Sequence, residues 1–280
     1  MFYMYFYMLY FKRRLLGEAR HAQIYGTFGR AYLVWKLLRL NGVRATRHSL
    51  KDLRERERER ERETICWLHC DETTIDVDDS VTTHDHPRCI NRYAVDIGKQ
   101  HVDEVFYSVF GYRLCIDPNT YSGPIVKKSN RNAAHDGQII SGPVDAIDPD
   151  YVYLRLIDNQ HGNDLVIDYR PLVIGNEMVY VYCKYRPLDH RFLNTNKGVN
   201  LRTPTECFSE SEIDSVVKFC KEFGADVCEL DVLRDNQTQK IYIVDVNTTP
   251  HSPPDALLNR VGLRAMRLAA NSLRRQYLRS

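Results

Sequence analysis

The stretch Glu229 to Pro250, ELDVLRDNQTQKIYIVDVNTTP, decides the fold of this chain because it gathers oxygen-bearing side chains in one place. Two runs rich in β-branched residues, Val227 to Leu233 and Ile241 to Asn247, flank the polar segment Asp235 to Gln239, and this pattern predicts a β-hairpin. Side chains on a strand alternate between its two faces. One face of the hairpin should therefore carry acids and an amide, and the other face aliphatic residues.

The polar face of this hairpin is a candidate metal site. Glu229 and Asp231 share it on one strand, and Asp245 and Asn247 share it on the other. If the turn is roughly symmetric, Asp231 lies opposite Ile243 or Asp245. Adjacent carboxylates repel one another, so we expect Asp231, Asp245 and Asn247 to bind Mg²⁺, which prefers carboxylate and amide oxygens. The alternative is a solvated face of an amphipathic hairpin. The side chains expected in the core are those of Leu230, Val232, Val244 and Val246.

The composition indicates a globular protein and excludes few partners. The chain has 280 residues, a net charge of +2 and 43% hydrophobic residues, so charge gives no argument for binding nucleic acid or an anionic membrane. Eight cysteines are scattered without Cys-x-x-Cys spacing, which favours free thiols in a reducing compartment and predicts a cytoplasmic protein. Oligomeric state stays open.

The chain begins with ten apolar and aromatic residues followed by Lys12-Arg13-Arg14. Ten residues are too few for a helix that spans a bilayer, which needs about twenty, so no membrane span is expected. An interfacial anchor, a first element of the core and a misassigned start codon remain open. The strict Arg-Glu alternation from Arg54 to Glu63 predicts a solvated helix extension or a flexible insert.

Periodicity along the chain predicts a mixed α/β or α+β fold rather than a parallel doubly wound sheet. One helix is expected over residues 19 to 41, ending at Asn41-Gly42, and short strands at Thr64 to Leu68 and Val81 to Thr83 complete a small α/β unit over residues 1–95. Helices follow at Gly98 to Gly111, at Glu210 to Phe223 and from Pro253-Pro254 to the terminus. The other predicted strands are Pro124 to Lys128, Gln138 to Ser141, Tyr151 to Ile157, Leu165 to Ile174 and Met178 to Lys184.

The order of the motifs from Arg92 to Pro254 resembles the ATP-grasp superfamily. Lys99 opens a helix, the pair Lys127-Lys128 ends a strand, and an extended segment ends at Asp158. The segments Asp168-Tyr-Arg-Pro-Leu-Val-Ile-Gly175 and Arg191-Phe-Leu-Asn-Thr-Asn-Lys-Gly198 precede the acidic hairpin. The likeness is greatest to the branch of ribosomal-protein glutamate ligase and glutathione synthetase. It implies two β-rich subdomains, at residues 96–158 and 159–280, that close on ATP.

The resemblance also implies roles for residues. Lys99 and one of Lys127 and Lys128 would hold the α- and β-phosphates; strand alternation lets only one of the pair face the nucleotide, and Lys127 is favoured. An exposed helix lysine is the alternative for Lys99, and a salt bridge to Asp168 or Asp164 is the alternative for Arg170. The positions matching the adenine and ribose contacts are Arg155, Ile157 and Asp158. Those matching the contacts to the γ-phosphate and the acyl phosphate are Arg170, Arg191 and Asn194.

The reaction that the resemblance implies is an ATP- and Mg²⁺-dependent ligation, with Mn²⁺ as an alternative metal, in which a small-molecule or peptide carboxylate is joined to an amine through an acyl phosphate. Two departures from the family pattern keep other functions open: the phosphate loop retains only Gly137, and Asp245 stands where glutamate is usual. The alternatives are a kinase of the same fold, a non-catalytic nucleotide-binding protein and a structural protein organised by the Arg-Glu repeat.

Overall fold

The computed structural model describes residues 2–15, 20–52, 65–76, 89–134, 136–193 and 195–278. Three sequence predictions lie outside these ranges: the Arg-Glu repeat, the strand at Val81 to Thr83, and the role of Asn194. In the described part of the chain, no helix is long and apolar enough to cross a membrane.

The N-terminal unit is a parallel sheet of four strands covered by two helices. In chain order its elements are α1 (Phe2–Leu15), β1 (His21–Gly26), α2 (Leu33–Leu40), β2 (Arg44–His48), β3 (Ile65–His69) and β4 (Cys89–Ile90), and the strand order is β2-β1-β3-β4. The buried Phe6 ring of α1 lies 6.2 Å from that of Trp35 on α2, so the aromatic N-terminus is an element of the core.

The prediction of one helix over residues 19 to 41 was wrong, because its first part is the central strand β1. Ala22, Ile24 and Tyr25 are fully buried there. The strand ends at Gly26, which has φ of +110°, and a Cβ at this position would lie 2.4 Å from the carbonyl oxygen of His69. Only glycine allows β1 and β3 to approach so closely. The predicted stop at Asn41-Gly42 is confirmed by the end of α2 at Leu40.

A small antiparallel sheet, of order β6-β5-β7, follows the N-terminal unit. Helix α3 (Lys99–Phe110) precedes it and ends at Gly111, which takes the left-handed conformation typical of a helix C-terminus. The strands are β5 (Pro124–Ser129), β6 (Gln138–Ser141) and β7 (Tyr151–Arg155). These elements confirm the predicted helix and strands, with β7 two residues shorter than expected.

The large antiparallel sheet has the order β11-β10-β9-β12-β13, and β8 pairs with the first two residues of β9. Two helices pack on it. The predicted last helix does not begin at Pro253-Pro254: a 3₁₀ turn at Asp255–Leu257 intervenes, and the side chain of Asn259 caps the helix by accepting from the amide of Val261. The elements are β8 (Gln160–His161), β9 (Leu165–Ile174), β10 (Glu177–Pro187), β11 (Gly198–Arg202), α4 (Glu210–Phe223), β12 (Val227–Arg234), β13 (Ile241–Asn247) and α5 (Arg260–Leu273).

Two hydrophobic clusters cover the two faces of the large sheet. One joins it to the N-terminal unit: Leu172, Ile174 and Tyr180 pack in the same cluster as Ile24 and Leu37. The other joins it to α3, α4 and the small sheet. The N-terminal unit and the large sheet therefore share one continuous core.

Candidate functional site

A cavity of about 890 Å³ lies where the small sheet, the hairpin β12–β13, strands β9 and β10 and the N-terminal unit meet. Eight basic and seven acidic side chains line its walls in the part of the chain that the structure describes. The wall beside the small sheet is apolar, with Leu114, Val126, Leu154, Leu156, Ile157 and Leu233. A cavity with one apolar wall and many charges suits a ligand that is partly planar and partly ionic.

The hairpin has one of the two registers that the sequence left open, the one with Asp245 opposite Asp231. Asp231 pairs with Asp245, and Glu229 pairs with Asn247. These four side chains line the cavity. Leu230, Val232 and Val246 are completely buried on the other face, as expected. The prediction was wrong for Val244, which is only half-buried and lines the cavity, because a β-bulge shifts the register between Asp231 and Val232.

Asp231 is bound to Arg170. The Arg170 Nε donates to Asp231 Oδ1 at 2.6 Å and lies 3.9 Å from Glu229 Oε2. Burial alone would raise the pKa of the Asp231 carboxyl, but the charge of Arg170, together with that of Lys184, holds this pKa well below its ordinary value. The alternative partners for Arg170, Asp168 and Asp164, are not the ones observed, because Asp168 is paired with Arg186 at 3.2 Å.

Asp245 has no hydrogen-bond donor in reach among the described residues. Burial and the charge of Asp231 raise the pKa of its carboxyl, while Lys99 and Lys128 act in the opposite direction. Among the described residues, these lysines offset its charge without forming an ion pair with it, so a bound cation would be favourable here. The amide oxygen of Asn247 completes the candidate set and accepts from the Thr249 amide at 2.9 Å.

These donors fit a hard divalent cation, since carboxylate and amide oxygens are its preferred ligands. The set has two carboxylates and an amide; within the described ranges, no group of three or more His, Cys, Asp and Glu side chains forms a metal site. Asp231, Asp245 and Asn247 would thus supply part of the coordination shell, which for Mg²⁺ is commonly completed by water and phosphate oxygens.

The preference for Lys127 over Lys128 was wrong about which side chain faces the cavity. Lys128 lines it, and its ammonium donates to the Val244 carbonyl at 3.3 Å. Burial lowers the pKa of Lys128 to about 8, against the opposing charge of Asp245. Lys127 points to the other face of β5, where its ammonium lies 3.6 Å from Asp148 and 4.3 Å from the centre of the Tyr151 ring.

Lys99 also reaches the cavity, where its ammonium donates to the carbonyl of Arg131 at 2.7 Å. Arg131 belongs to the loop that lacks the usual glycines. Side chains hold this loop to the N-terminal unit instead: the Asn132 amide group donates to the Asp71 carbonyl at 2.9 Å, and its backbone N–H donates to Thr73 Oγ1 at 2.8 Å. Asn132 is thereby held against the N-terminal unit by two hydrogen bonds.

The residues predicted to contact adenine and ribose are only partly brought together. Arg155 and Ile157 line the cavity beside its apolar wall, but Asp158 does not. Asp158 binds the hairpin turn instead: its carbonyl accepts from the Asn236 amide at 2.7 Å, and its carboxylate from the Asn236 side chain at 3.2 Å. Arg191 lies at the same end of the cavity as Ile157. Its guanidinium donates to the Ile157 carbonyl at 3.0 Å and to Asn159 Oδ1 at 2.6 Å.

Several lining residues were missed by the sequence analysis. Lys184 and Arg186 on β10 are separated by a single residue and so share a strand face, which is a signal that could have been used. Lys36 interrupts the apolar helix α2 and is 2% exposed; burial lowers its pKa to about 8. Glu229 was placed on the polar face of the hairpin without a role. In the sequence, Lys36 is recognisable only as a charge among the apolar residues of α2, which also contains Arg39.

Known proteins resemble the chain in structure and not in sequence. No protein-family model and no curated protein matches it. The ATP-grasp ligase PsnB, complexed with minimal precursor, Mg and ADP, has a TM-score of 0.54 and 12% identity, with 90% of this chain and 97% of that chain covered. PsnB complexed with precursor peptide PsnA2 and AMPPNP gives a TM-score of 0.53 at the same identity and coverage.

The macrocyclase MdnC from Microcystis aeruginosa MRC, bound with precursor peptide MdnA, has a TM-score of 0.47 and 11% identity, with 89% of this chain and 99% of that chain covered. The PsnB likeness covers nearly the whole of both chains and includes the N-terminal unit. Because the identity is so low, this likeness shows only that the helices and strands are arranged in the same way. The chain therefore has the ATP-grasp fold, as the order of its motifs predicted.

Proposed function

We propose that the protein is an ATP- and Mg²⁺-dependent ligase that joins a carboxylate to an amine and forms ADP. One observation carries the proposal: the cavity joins an apolar wall, two half-buried lysines and a pair of facing acids on a hairpin. The apolar wall suits a base, Lys99 and Lys128 suit phosphates, and Asp231 with Asp245 suits a metal. The PsnB structures contain a precursor peptide, which favours a peptide over a small molecule as carboxylate donor.

In the proposed reaction a substrate carboxylate oxygen attacks the γ-phosphorus of ATP, the bond to the β-phosphate oxygen breaks, and ADP leaves. The amine nitrogen then attacks the acyl carbon and expels phosphate. Mg²⁺ held by Asp231, Asp245 and Asn247 would neutralise charge on the phosphates. Arg170 lies beside this set and is suited to stabilise charge on the transferred group. Asn194 keeps its predicted role at the acyl phosphate.

The proposal extends to the organisation of the chain. Residues 96–158 and 159–280 would be the two subdomains that enclose ATP, with residues 1–95 contributing to the acceptor side through Lys36 and Asp71. The eight cysteines, all within the described ranges, form no disulfide with one another, which favours a reducing compartment such as the cytoplasm. Mn²⁺ could replace Mg²⁺ at oxygen ligands of this kind.

A thermal-shift titration with ATP, with and without Mg²⁺, tests the nucleotide site. Ligand at one hundred times its Kd adds about 2.7 kcal/mol to the free energy of unfolding, so the melting temperature should rise clearly. We expect Asp245→Ala to fold, because the buried side of the hairpin is unchanged, and to lose the Mg²⁺-dependent part of the shift. An equal shift in Asp245→Ala and the native chain would contradict the metal assignment.

The ligase reaction is tested by incubating the protein with Mg²⁺, ATP and panels of peptides and small carboxylates, with ADP release as the readout. Hydroxylamine should intercept the acyl phosphate as a hydroxamate. A phosphorylated product formed without consumption of an amine would indicate a kinase instead. ATP binding without ADP release across the panels would indicate a non-catalytic nucleotide-binding protein.

A further inference from the structure

We propose that Glu229 binds the amine substrate through its ammonium group. The proposal rests on the proposed ligase function and deepens it, because it assigns the acceptor end of the cavity to one residue. Glu229 lines the cavity and is 3% exposed. Its Oε1 is buried without a hydrogen-bond partner in the described part of the chain. A buried carboxylate oxygen without a donor is costly, so this atom is suited to a ligand that brings a donor.

Among the described residues, no cation near Glu229 donates a hydrogen bond to its Oε1. Arg170 donates to Asp231 and lies 3.9 Å from Glu229 Oε2, which is beyond hydrogen-bond distance. The Lys36 ammonium donates to the Ala31 carbonyl instead. Lys184 contributes a favourable charge nearby, and no hydrogen bond from it to Glu229 is formed. Within the described part of the chain, one carboxylate oxygen of Glu229 therefore stays available to a ligand.

The chemistry of Glu229 selects among the three proposed substrates. ATP and the carboxylate donor are anionic, and a carboxylate repels both. The amine acceptor is the one substrate with a positive charge near neutral pH, and an ammonium offers three donors. An ion pair that is shielded from water is also stronger than one on the surface.

The position of Glu229 is right for an acceptor. It lies two residues before Asp231 on the same face of β12, and its cross-strand partner is Asn247. Two residues along a strand span about 7 Å, which is roughly the length of an acyl phosphate group plus the approach distance of a nucleophile. An ammonium held at Glu229 would thus lie next to the metal and Arg170, where the acyl phosphate is proposed to form. One proton passes from the ammonium to the Glu229 carboxylate before the nitrogen attacks the acyl carbon.

The test is ligand-detected NMR titration of n-propylammonium into the native protein, into Glu229→Gln and into the control Glu222→Gln, whose carboxylate lies on the exposed surface of α4. We expect Glu229→Gln to weaken binding about tenfold or more, as for loss of a hydrogen bond to a charged group, and Glu222→Gln to change nothing. Glutamine has the shape of glutamate, and thermal melts will show whether each variant folds.

A comparison on the native protein needs no variant. Uncharged 1-propanol has the same length as n-propylammonium and should bind at least about tenfold more weakly if Glu229 acts through its charge. Equal affinities for the two probes, no binding of n-propylammonium, or unchanged binding in a folded Glu229→Gln would each overturn the proposal.

Mg²⁺ titration of the same variants separates this role from a metal-binding one. We expect the Mg²⁺ affinity of the nucleotide complex to be unchanged in Glu229→Gln, and a fall of tenfold or so would make Glu229 a metal ligand and overturn the proposal. Because the n-propylammonium titration requires no nucleotide, its failure is distinguishable from failure of the ligase proposal. That failure would appear as absent ADP release in the native protein.

Discussion

Replacement of Arg170 by methionine is the sharpest test of the ion pair between Arg170 and Asp231. The side chains of Arg170 and Asp231 are only 17% and 19% exposed, and their contact of 2.6 Å is the shortest link between β9 and the metal candidates. Removing one partner from a buried pair costs about 3–5 kcal/mol, because the other charge stays buried without compensation. Arg170→Met should therefore lower the free energy of unfolding by about this amount, and urea denaturation followed by circular dichroism measures it.

A second substitution identifies the origin of this loss. In Arg170→Met/Asp231→Asn the uncompensated carboxylate is absent, so the double variant should be more stable than the sum of the two single losses predicts, by about 1–3 kcal/mol. Strict additivity, or a loss below about 1 kcal/mol in Arg170→Met, would refute the reasoning, since it would mean that water or rearrangement already compensates Asp231.

The stability difference between the native protein and Arg170→Met should change with pH in a definite direction. In the native protein the pKa of Asp231 is depressed, so the stability from the pair is present above the ordinary carboxyl pKa of about 4 and is lost only as the pH falls through the lower folded value. Without Arg170, burial raises the pKa of Asp231, and the folded state binds protons more tightly than the unfolded one. The stability difference between the native protein and Arg170→Met should therefore shrink from pH 7 to pH 5. A constant difference would contradict this mechanism.

Two matched pairs of variants provide further predictions. Lys128→Met should weaken Mg²⁺-ATP binding about tenfold or more in calorimetric titration and Lys127→Met by less than about twofold, because only Lys128 faces the cavity; equal losses would contradict this placement. Gly111→Ala and Gly224→Ala both place a side chain at positive φ, which costs about 1–2 kcal/mol. A Cβ at Gly111 meets nothing within 4 Å, whereas at Gly224 it lies 2.5 Å from Tyr93 Cβ, so Gly224→Ala should melt at the lower temperature, and equal melting temperatures would refute the steric argument.

Local patterns predicted the antiparallel parts of the fold well. The hairpin could be predicted because its two strands are adjacent in sequence, and the turn narrowed the partner of Asp231 to Ile243 or Asp245, of which the structure shows Asp245. Helices α3 and α4 could be placed because glycines with positive φ end them, at Gly111 and Gly224. In each case the deciding interaction lies within a few residues of the segment it defines.

Features that depend on distant partners were the ones missed. Strand β1 pairs with β2 and β3, and in isolation its apolar residues merge with those of α2 into one helical pattern. Alternation showed that one of Lys127 and Lys128 faces the cavity, but which one depends on how the small sheet packs on the hairpin. Arg170 meets Asp231 only because β9 and β12 are neighbours in the sheet. Lys36 enters the site from a unit that precedes the ATP-grasp motifs.

The core that the N-terminal unit shares with the large sheet limits how freely either part can change. Leu172, Ile174 and Tyr180 are completely or almost completely buried against it. A chain that lacks the N-terminal unit would expose these side chains, and exposed apolar patches of this kind promote aggregation. Substitutions that reshape the cavity must therefore preserve this contact. We expect the two parts to diversify together and not as exchangeable modules.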